Sequence, residues 1–534
     1  MSQSRRVRTE EKRKDPSKSA ADKPSKSRLK FSPGVEKLLS LFFLAATIVG
    51  LYLDLSLALI YPLTSDMANA GLFPLEVMQG NFEFVLPANN PYFFTDYIFH
   101  LVVQPLTGYS PVALVLTAYT IYVLIVLACA ALVFRLAGRM EALVAAALVA
   151  NMPFMGLRYV LYPLYHNGTT LFILLSILVF YADRPPFRLS FRLRVLIITL
   201  LQFLGVFSDT LMLPLFTLPL LVYSAYLLLK QKQTPKVDKI GNGPEGSPVL
   251  WLASTVPALI IFALKSRLGQ LWPGGPILVT TAADLGSPGN LLQHPEMLSD
   301  YILALISNAG GIFVALVLLA VVVFVILDRK DRFLHAVLVI GGLCMVIGFM
   351  SMTIAGDPAR YLTPVSIMAL VVIATGTLRR GVGYIPLIAI TAIVLFCIWS
   401  NALIIAEDPH PDYIKNQQVL VTLLERENIT HAYADYWSAN VNTYLSGGKV
   451  LVEPVYVDGD KLRFQTMNSA PRWASTWPDG NDSLPVIIAS NGSSLDDWNL
   501  KVSENHQPQA VYAVDDIWIY VYNGTLPAWP AGKF

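Results

Sequence analysis

The chain has 534 residues, 54% of them hydrophobic and only 14% charged, with a net charge of +2. Ordinary soluble proteins carry about a quarter charged residues, and a mean hydropathy of +0.53 over this length cannot come from one buried core, which excludes a conventional soluble enzyme. The three cysteines, Cys129, Cys344 and Cys397, all lie inside apolar runs, which excludes a disulfide framework and a Cys-based metal centre.

Residues 1–37 are rich in Lys and Arg, interspersed with Ser and Pro. Such a segment cannot bury enough apolar surface to fold and is expected to be a disordered basic tail on the cytoplasmic side. No aromatic or structured motif accompanies the charges, so the tail reads as a topology anchor and nucleic acid is not an expected partner. The apolar run that follows is too long, and lacks the small-residue cleavage site, for a removed signal peptide.

Crossing some 30 Å of hydrocarbon takes about twenty apolar residues. Runs that meet or approach this length are expected to span near 38–62, 111–135, 140–156, 168–182, 193–208, 210–229, 248–265, 301–327, 333–355, 361–378 and 383–404. That makes about eleven transmembrane helices, with the 140–229 stretch open to a recount by one pair. Basic residues gather in alternate loops, around Arg135 and Arg139, Arg184 to Arg194, Lys230 to Lys239, Arg329 to Arg332, and Arg379 with Arg380. The bias places these loops and the N-terminus in the cytoplasm and residues 405–534 outside, in a plasma or inner membrane protein.

Loop 63–110 holds two amphipathic pieces, near 66–80 and 92–105, expected to lie as helices in the interface. Loop 266–300 is rich in Gly and Pro and suits a mobile cover over a site. From about 405 the composition turns polar and aromatic. A helix-like segment, Tyr413 to Glu427, precedes strand-like runs at 430–436, 449–457, 484–489, 509–513 and 517–522. The fold class is therefore an all-α polytopic membrane domain over 38–404 with a small extracytoplasmic α/β or α+β domain over 405–534.

Ionisable groups beside apolar segments are functional candidates by default. On the predicted outer side these are Asp66, Asp96, Arg158, His166, Asp209, Lys265, Arg267, Asp357 and Arg360. Carboxylates can serve as general bases toward an acceptor hydroxyl, and arginines can grip a phosphate through paired charge-assisted hydrogen bonds. Each also has a plainer reading: Asp66 or Asp96 as a helix cap, His166 as an interface histidine, Asp209 as a turn residue, Arg360 as a snorkelling arginine. Trp473, Trp477 and Trp518 read as core packing before carbohydrate platforms. No Walker-type phosphate loop or dinucleotide fingerprint occurs.

Several short outer motifs carry a resemblance: Thr64-Ser65-Asp66-Met67-Ala68-Asn69, Gln79-Gly80-Asn81-Phe82, Tyr92-Phe93-Phe94-Thr95-Asp96, Tyr165-His166-Asn167-Gly168, Phe207-Ser208-Asp209 and Ala359-Arg360-Tyr361-Leu362-Thr363-Pro364. Together they resemble the GT-C superfamily of membrane glycosyltransferases that use polyprenyl-phosphate sugars. The resemblance implies a polyprenyl-phosphate sugar donor, a glycan, lipid or protein acceptor, and the bilayer as partners. It makes Asp66 the expected base or metal ligand, with Asp96 and His166 beside it as catalytic candidates. Asp209, Arg360, Arg158, Lys265 and Arg267 are then substrate-binding candidates. Many relatives carry paired acids in the first loop, whereas Asp66 stands between Ser65 and Met67, so the cofactor stays open, a divalent metal ion among the options. Competing classes are a lipid-linked sugar transporter or flippase, for which Asp54 within the first span would speak, and a polymerase or ligase of the O-antigen type. A binding module on a membrane anchor would not need eleven spans.

Overall fold

A computed structural model describes residues 31–60, 63–87, 91–153, 160–164, 166–183, 188–233, 247–271, 277–279, 332–350, 359–376, 384–407, 413–459, 461–465, 470 and 486–523. Helices stand at ten of the expected span positions: α1 (Pro33–Ile60), α4 (Pro111–Leu136), α5 (Arg139–Val149), α6 (Asn167–Phe180), α7 (Phe191–Ser208), α8 (Leu218–Gln233), α9 (Pro248–Leu271), α10 (Arg332–Met350), α11 (Ala359–Gly376) and α12 (Ile385–Glu407). The span expected at 301–327 lies outside the described residues. Between α1 and α4 the first long loop carries α2 (Ser65–Met78) and α3 (Ile98–Thr107).

Six of these segments are long and apolar enough to cross a membrane, and three more are shorter apolar helices. α5 has 11 residues, well short of a full crossing. Helix starts follow local chemistry. Ser110 accepts from the Ala113 N–H with Pro111 in the first turn of α4, and Ser190 accepts from the Leu193 N–H at the start of α7. α1 packs on α5 and α12, yet leaves Leu38, Leu41, Leu44, Ile48 and Tyr52 exposed, and α12 leaves Ile385, Ile388, Phe396 and Trp399 exposed. Such an apolar outer stripe suits a lipid surface and would be a liability in water. At one end Phe180 stacks on Phe333 at 3.9 Å, and Arg194, buried in the first turn of α7, donates to the Phe180 carbonyl at 2.6 Å.

Two segments far apart in the chain are joined by a short parallel pair, β1 (Val85–Pro87) with β2 (Ile277–Val279). Only these three residues of the 272–300 stretch are described.

The C-terminal unit begins with α13 (Tyr413–Arg426) and contains β3 (His431–Ala434), α14 (Tyr436–Leu445), β4 (Leu451–Asp458), β5 (Lys461–Phe464), β6 (Val486–Ser490), α15 (Ser494–Ser503), β7 (Ala510–Val514) and β8 (Ile517–Val521). Its six-stranded sheet runs β5-β4-β3-β6-β8-β7, parallel through β4-β3-β6 and antiparallel at both edges. Strand alternation sorts the side chains. Ala432, Ala434, Val486, Ile488, Ile519 and Val521 meet Leu420 and Leu424 of α13 and Ala439 of α14, while Tyr433, Ile487, Ala489, Tyr520 and Tyr522 meet Leu495 and Trp498 of α15. The result is helix, sheet, helix in three layers.

Candidate active site

Helix α2 opens the loop between α1 and α4, and Thr64 is its N-cap, its hydroxyl accepting from the Met67 N–H. Asp66 is therefore not the cap. It stands half-buried in the first turn, and its Oδ1 accepts a hydrogen bond from the Tyr436 phenol at 2.5 Å. Tyr436 opens α14, so the C-terminal unit reaches the base of the first loop. Ser65 donates to the Tyr436 and Trp437 carbonyls, the latter at 2.8 Å. The Tyr444 phenol donates to the Ser110 carbonyl at 3.0 Å.

A second cluster lies deeper. A π-helical turn, Phe93–Tyr97, places Asp96 against the start of α6, where the Gly168 N–H donates to Asp96 Oδ1 at 3.3 Å. Asp96 thus serves a free N–H of α6, not of the helix that follows it. The approach needs glycine: a methyl on Gly168 would overlap the Thr95 carbonyl. Phe94 N–H donates to the Ser208 hydroxyl and Tyr92 N–H to the Ser208 carbonyl, both at 2.8 Å, which fixes the turn on the end of α7.

Asp209 follows directly. It is fully buried, and its Oδ2 takes hydrogen bonds from His166 Nδ1 and the Thr169 hydroxyl, both at 2.6 Å, while Oδ1 accepts from the Leu211 N–H at 2.9 Å. A carboxylate accepts only, so His166 carries its proton on Nδ1. Its Nε2 then faces the Tyr92 phenol at 3.5 Å, the outer limit of a hydrogen bond. Lys265 is buried on α9, donates to the Val206 carbonyl at 3.4 Å, and lies close enough to feel the Asp209 charge.

The backbone is unusual here. Of five non-glycine residues with left-handed φ among the described residues, Tyr92, Leu164 and His166 sit at this cluster. Such conformations cost about 1–3 kcal/mol each and gather where a site over-determines them.

Electrostatics separates the two buried acids. Burial pushes the Asp96 carboxyl up to about 6, opposed by the Thr95 hydroxyl, the Gly168 N–H and His166, with the Asp209 charge adding to the rise. For Asp209 burial acts the same way, but the His166 charge and the hydrogen bonds from His166, Thr169 and Leu211 outweigh it and hold the carboxyl below the usual range. Two carboxyls with divergent proton affinities suit distinct acid and base roles. Among the described residues Asp96 Oδ2 is buried and makes no full hydrogen bond, with the Thr95 hydroxyl acting on the carboxyl more weakly, a cost a structural aspartate does not carry without reason.

The half-buried and buried sets are connected. Tyr97 is buried where both Asp66 and Asp96 act on its phenol, which burial first and these charges next push far above its ordinary value. The Thr64 hydroxyl bonds the Tyr162 phenol, and Asn167 donates to the Tyr162 carbonyl at 2.7 Å beside His166. The structure thus brings Asp96, His166, Asp209 and Lys265 together and links Asp66 to them through Tyr97 and the Thr64–Tyr162–Asn167 contacts. Arg267 is exposed two residues beyond Lys265, Arg360 is in the first turn of α11, and Arg158 and Asp357 lie outside the described residues. Asp54 is buried on α1, where its Oδ2 accepts from Tyr122 at 2.8 Å, away from this cluster. Trp518 lies on β8 against the α15 core; Trp473 and Trp477 lie outside the described residues. Among the described residues no three His, Cys, Asp or Glu side chains converge as metal ligands. Both Asp209 oxygens already accept donors.

Tyr92 and Ser208 lie within the outer motifs of the sequence, but no role follows for them there; Thr169 and Tyr436 lie outside those motifs.

No family profile and no curated protein matches the sequence. Among solved structures, ArnT from Cupriavidus metallidurans bound to undecaprenyl phosphate superposes with a TM-score of 0.58 at 10% identity, over 91% of this chain and 98% of that one. The Archaeoglobus fulgidus oligosaccharyltransferase in complex with Zn and sulfate gives a TM-score of 0.43 at 14% identity, over 90% of this chain and 73% of that one, too loose a likeness to argue from. The first likeness shows the fold alone.

Proposed function

We propose that this chain, which has the membrane fold of the GT-C superfamily, transfers a sugar from a polyprenyl-phosphate donor to a hydroxyl acceptor at the outer face of a plasma or inner membrane. In this reading about eleven spans place residues 1–37 in the cytoplasm and 405–534 outside. The observation that carries it is the convergence of acids, histidine and lysine from four segments of chain, residues 92–97, 166–169, 208–211 and 265, beside Asp66. ArnT, whose fold this chain shares, is bound to undecaprenyl phosphate, which supports a lipid phosphate as the group the site receives.

The step is a displacement. The acceptor oxygen bonds to the anomeric carbon, and the bond from that carbon to the phosphate oxygen breaks. The electron pair leaves with the polyprenyl phosphate, and the acceptor proton passes to the Asp66 carboxylate. Asp66 suits the base because it is half-buried and open to an acceptor, whereas Asp96 and Asp209 are enclosed. Lys265 supplies a cation near the cluster for the departing phosphate, with Arg360, Arg158 and Arg267 as further phosphate ligands. The His166–Asp209 pair holds a proton at Nδ1 and presents Nε2 toward Tyr92.

The test is Asp66→Asn in proteoliposomes given polyprenyl-phosphate hexoses and pentoses with membrane glycans, lipids or proteins as acceptors, following release of polyprenyl phosphate. Turnover should fall about 10²–10⁴-fold, the usual loss for a positioned base. Thermal stability should hold, because Thr64 fills the cap and an amide oxygen still accepts from Tyr436. Normal transfer by the variant overturns the proposal.

A further inference from the structure

We propose that Tyr436 of the C-terminal unit is a positioning residue for Asp66, so that seating of this unit readies the base. The inference rests on Asp66 being that base. It starts from a chain of donors. Asn440 Nδ2 donates to Asn69 Oδ1 at 2.6 Å, Asn69 Nδ2 donates to the Tyr436 phenol oxygen at 2.9 Å, and the phenol donates to Asp66 Oδ1 at 2.5 Å.

The direction of this relay follows from its end. An ionised carboxylate can only accept, so the phenol must give its single hydrogen to Asp66. The phenol oxygen must then accept from Asn69, which turns the amide nitrogen of Asn69 toward it and its carbonyl oxygen toward Asn440. Both amide orientations are thereby fixed by chemistry and not by choice. Asn69 is 2% exposed and Asn440 fully buried, so water cannot substitute for either link. Aligned donors polarise one another, and a buried relay that ends on a charge is stiffer than its separate bonds.

Two of the four relay residues belong to the first outer loop and two to α14. No Asp66–Tyr436 bond survives if α14 leaves α2. The seat is specific as well. Gly71 of α2 lies so close to the Tyr444 ring that a methyl there would overlap it, and Ser65 holds the Tyr436 and Trp437 carbonyls. The carboxylate is aimed from the C-terminal unit, and catalysis is coupled to docking.

A positioning role and a mere docking role separate in kinetics. Tyr436→Phe should lower kcat about 10–100-fold while KM for the donor stays within about twofold, as expected when a group is misplaced without loss of donor binding. Asn440→Ala leaves the phenol in place but removes the first donor, and should give a smaller kcat loss of the same kind. Ser65→Ala removes one contact of the seat outside the relay while α14 stays docked on α2, and should lower thermal stability while keeping kcat. On the Asp66→Asn background, Tyr436→Phe should cost no further turnover, since the group it serves is gone. Wild-type kcat in Tyr436→Phe overturns the inference, as does an equal kcat loss in Ser65→Ala. An active Asp66→Asn sinks the base assignment, a result read from that single variant alone. If Asp66→Asn is inactive and Tyr436→Phe is normal, only the positioning role fails.

Discussion

Replacing Asp96 by Asn should make the protein more stable at neutral pH and less active. Folding raises the Asp96 carboxyl from 3.8 to about 6, chiefly by burial. Between those values the folded protein holds a proton that the unfolded chain has released. The stabilisation this gives is complete below about pH 4 and is lost as pH rises through about 6. A difference of about two pH units corresponds to about 3 kcal/mol, at 1.36 kcal/mol per unit. Asparagine keeps an oxygen for the Gly168 N–H and cannot ionise. The wild-type curve minus the variant curve should therefore fall by about 2–3 kcal/mol between pH 4 and pH 7, with groups not coupled to Asp96 cancelling in the subtraction. Denaturant unfolding in mild detergent, followed by tryptophan fluorescence at half-unit pH steps, measures it. A flat difference curve would show that Asp96 is not held in the environment described. A stability gain with a loss of transfer would mark a residue kept for chemistry against the interest of the fold.

Gly168→Ala should displace the Asp96 turn, because the new methyl meets the Thr95 backbone carbonyl, which cannot swing aside as a side chain could; a loss of thermal stability together with transfer is expected, and a well-folded, active variant would contradict the close packing of α6 on the turn. Arg360→Lys should weaken binding of a polyprenyl-phosphate sugar and Arg360→Ala weaken it further, since a guanidinium grips phosphate through two fixed donors and an ammonium through one point charge; equal affinity of all three proteins in a direct binding assay would make Arg360 an interfacial anchor only.

The sequence announced the apolar helices because their length and composition are physical requirements of hydrocarbon, and the C-terminal strands because β-branched and aromatic runs stand between turn residues. Asp66, Asp96, His166, Asp209 and Lys265 were each legible as charges beside apolar runs, but not their partnership. Nothing in residues 96, 166 and 209 taken singly says that a left-handed His166 meets Asp209 while a π-helical turn sets Asp96 on the neighbouring Gly168 N–H. Thr64 hid the role of Asp66, since either can cap a helix and only the backbone tells which does. β5 was missed because Lys461–Phe464 is a four-residue edge strand with alternating charge. Tyr436 was illegible because its meaning lies 370 residues away, at Asp66.

The bond between Tyr436 and Asp66 also acts as a parity rule. Two residues in contact on one side of a bilayer must be separated by an even number of crossings. With α1 ending at Ile60 before Asp66, every helix that crosses between α2 and α14 needs a returning mate, and the ten expected crossings from 111 to 404 satisfy this. Short helices such as the 11-residue α5 can be demoted from spans only together with a neighbour. A single inserted or deleted crossing anywhere in that stretch would put the acid and the phenol on opposite faces, so a frame error in topology would register as a lost hydrogen bond.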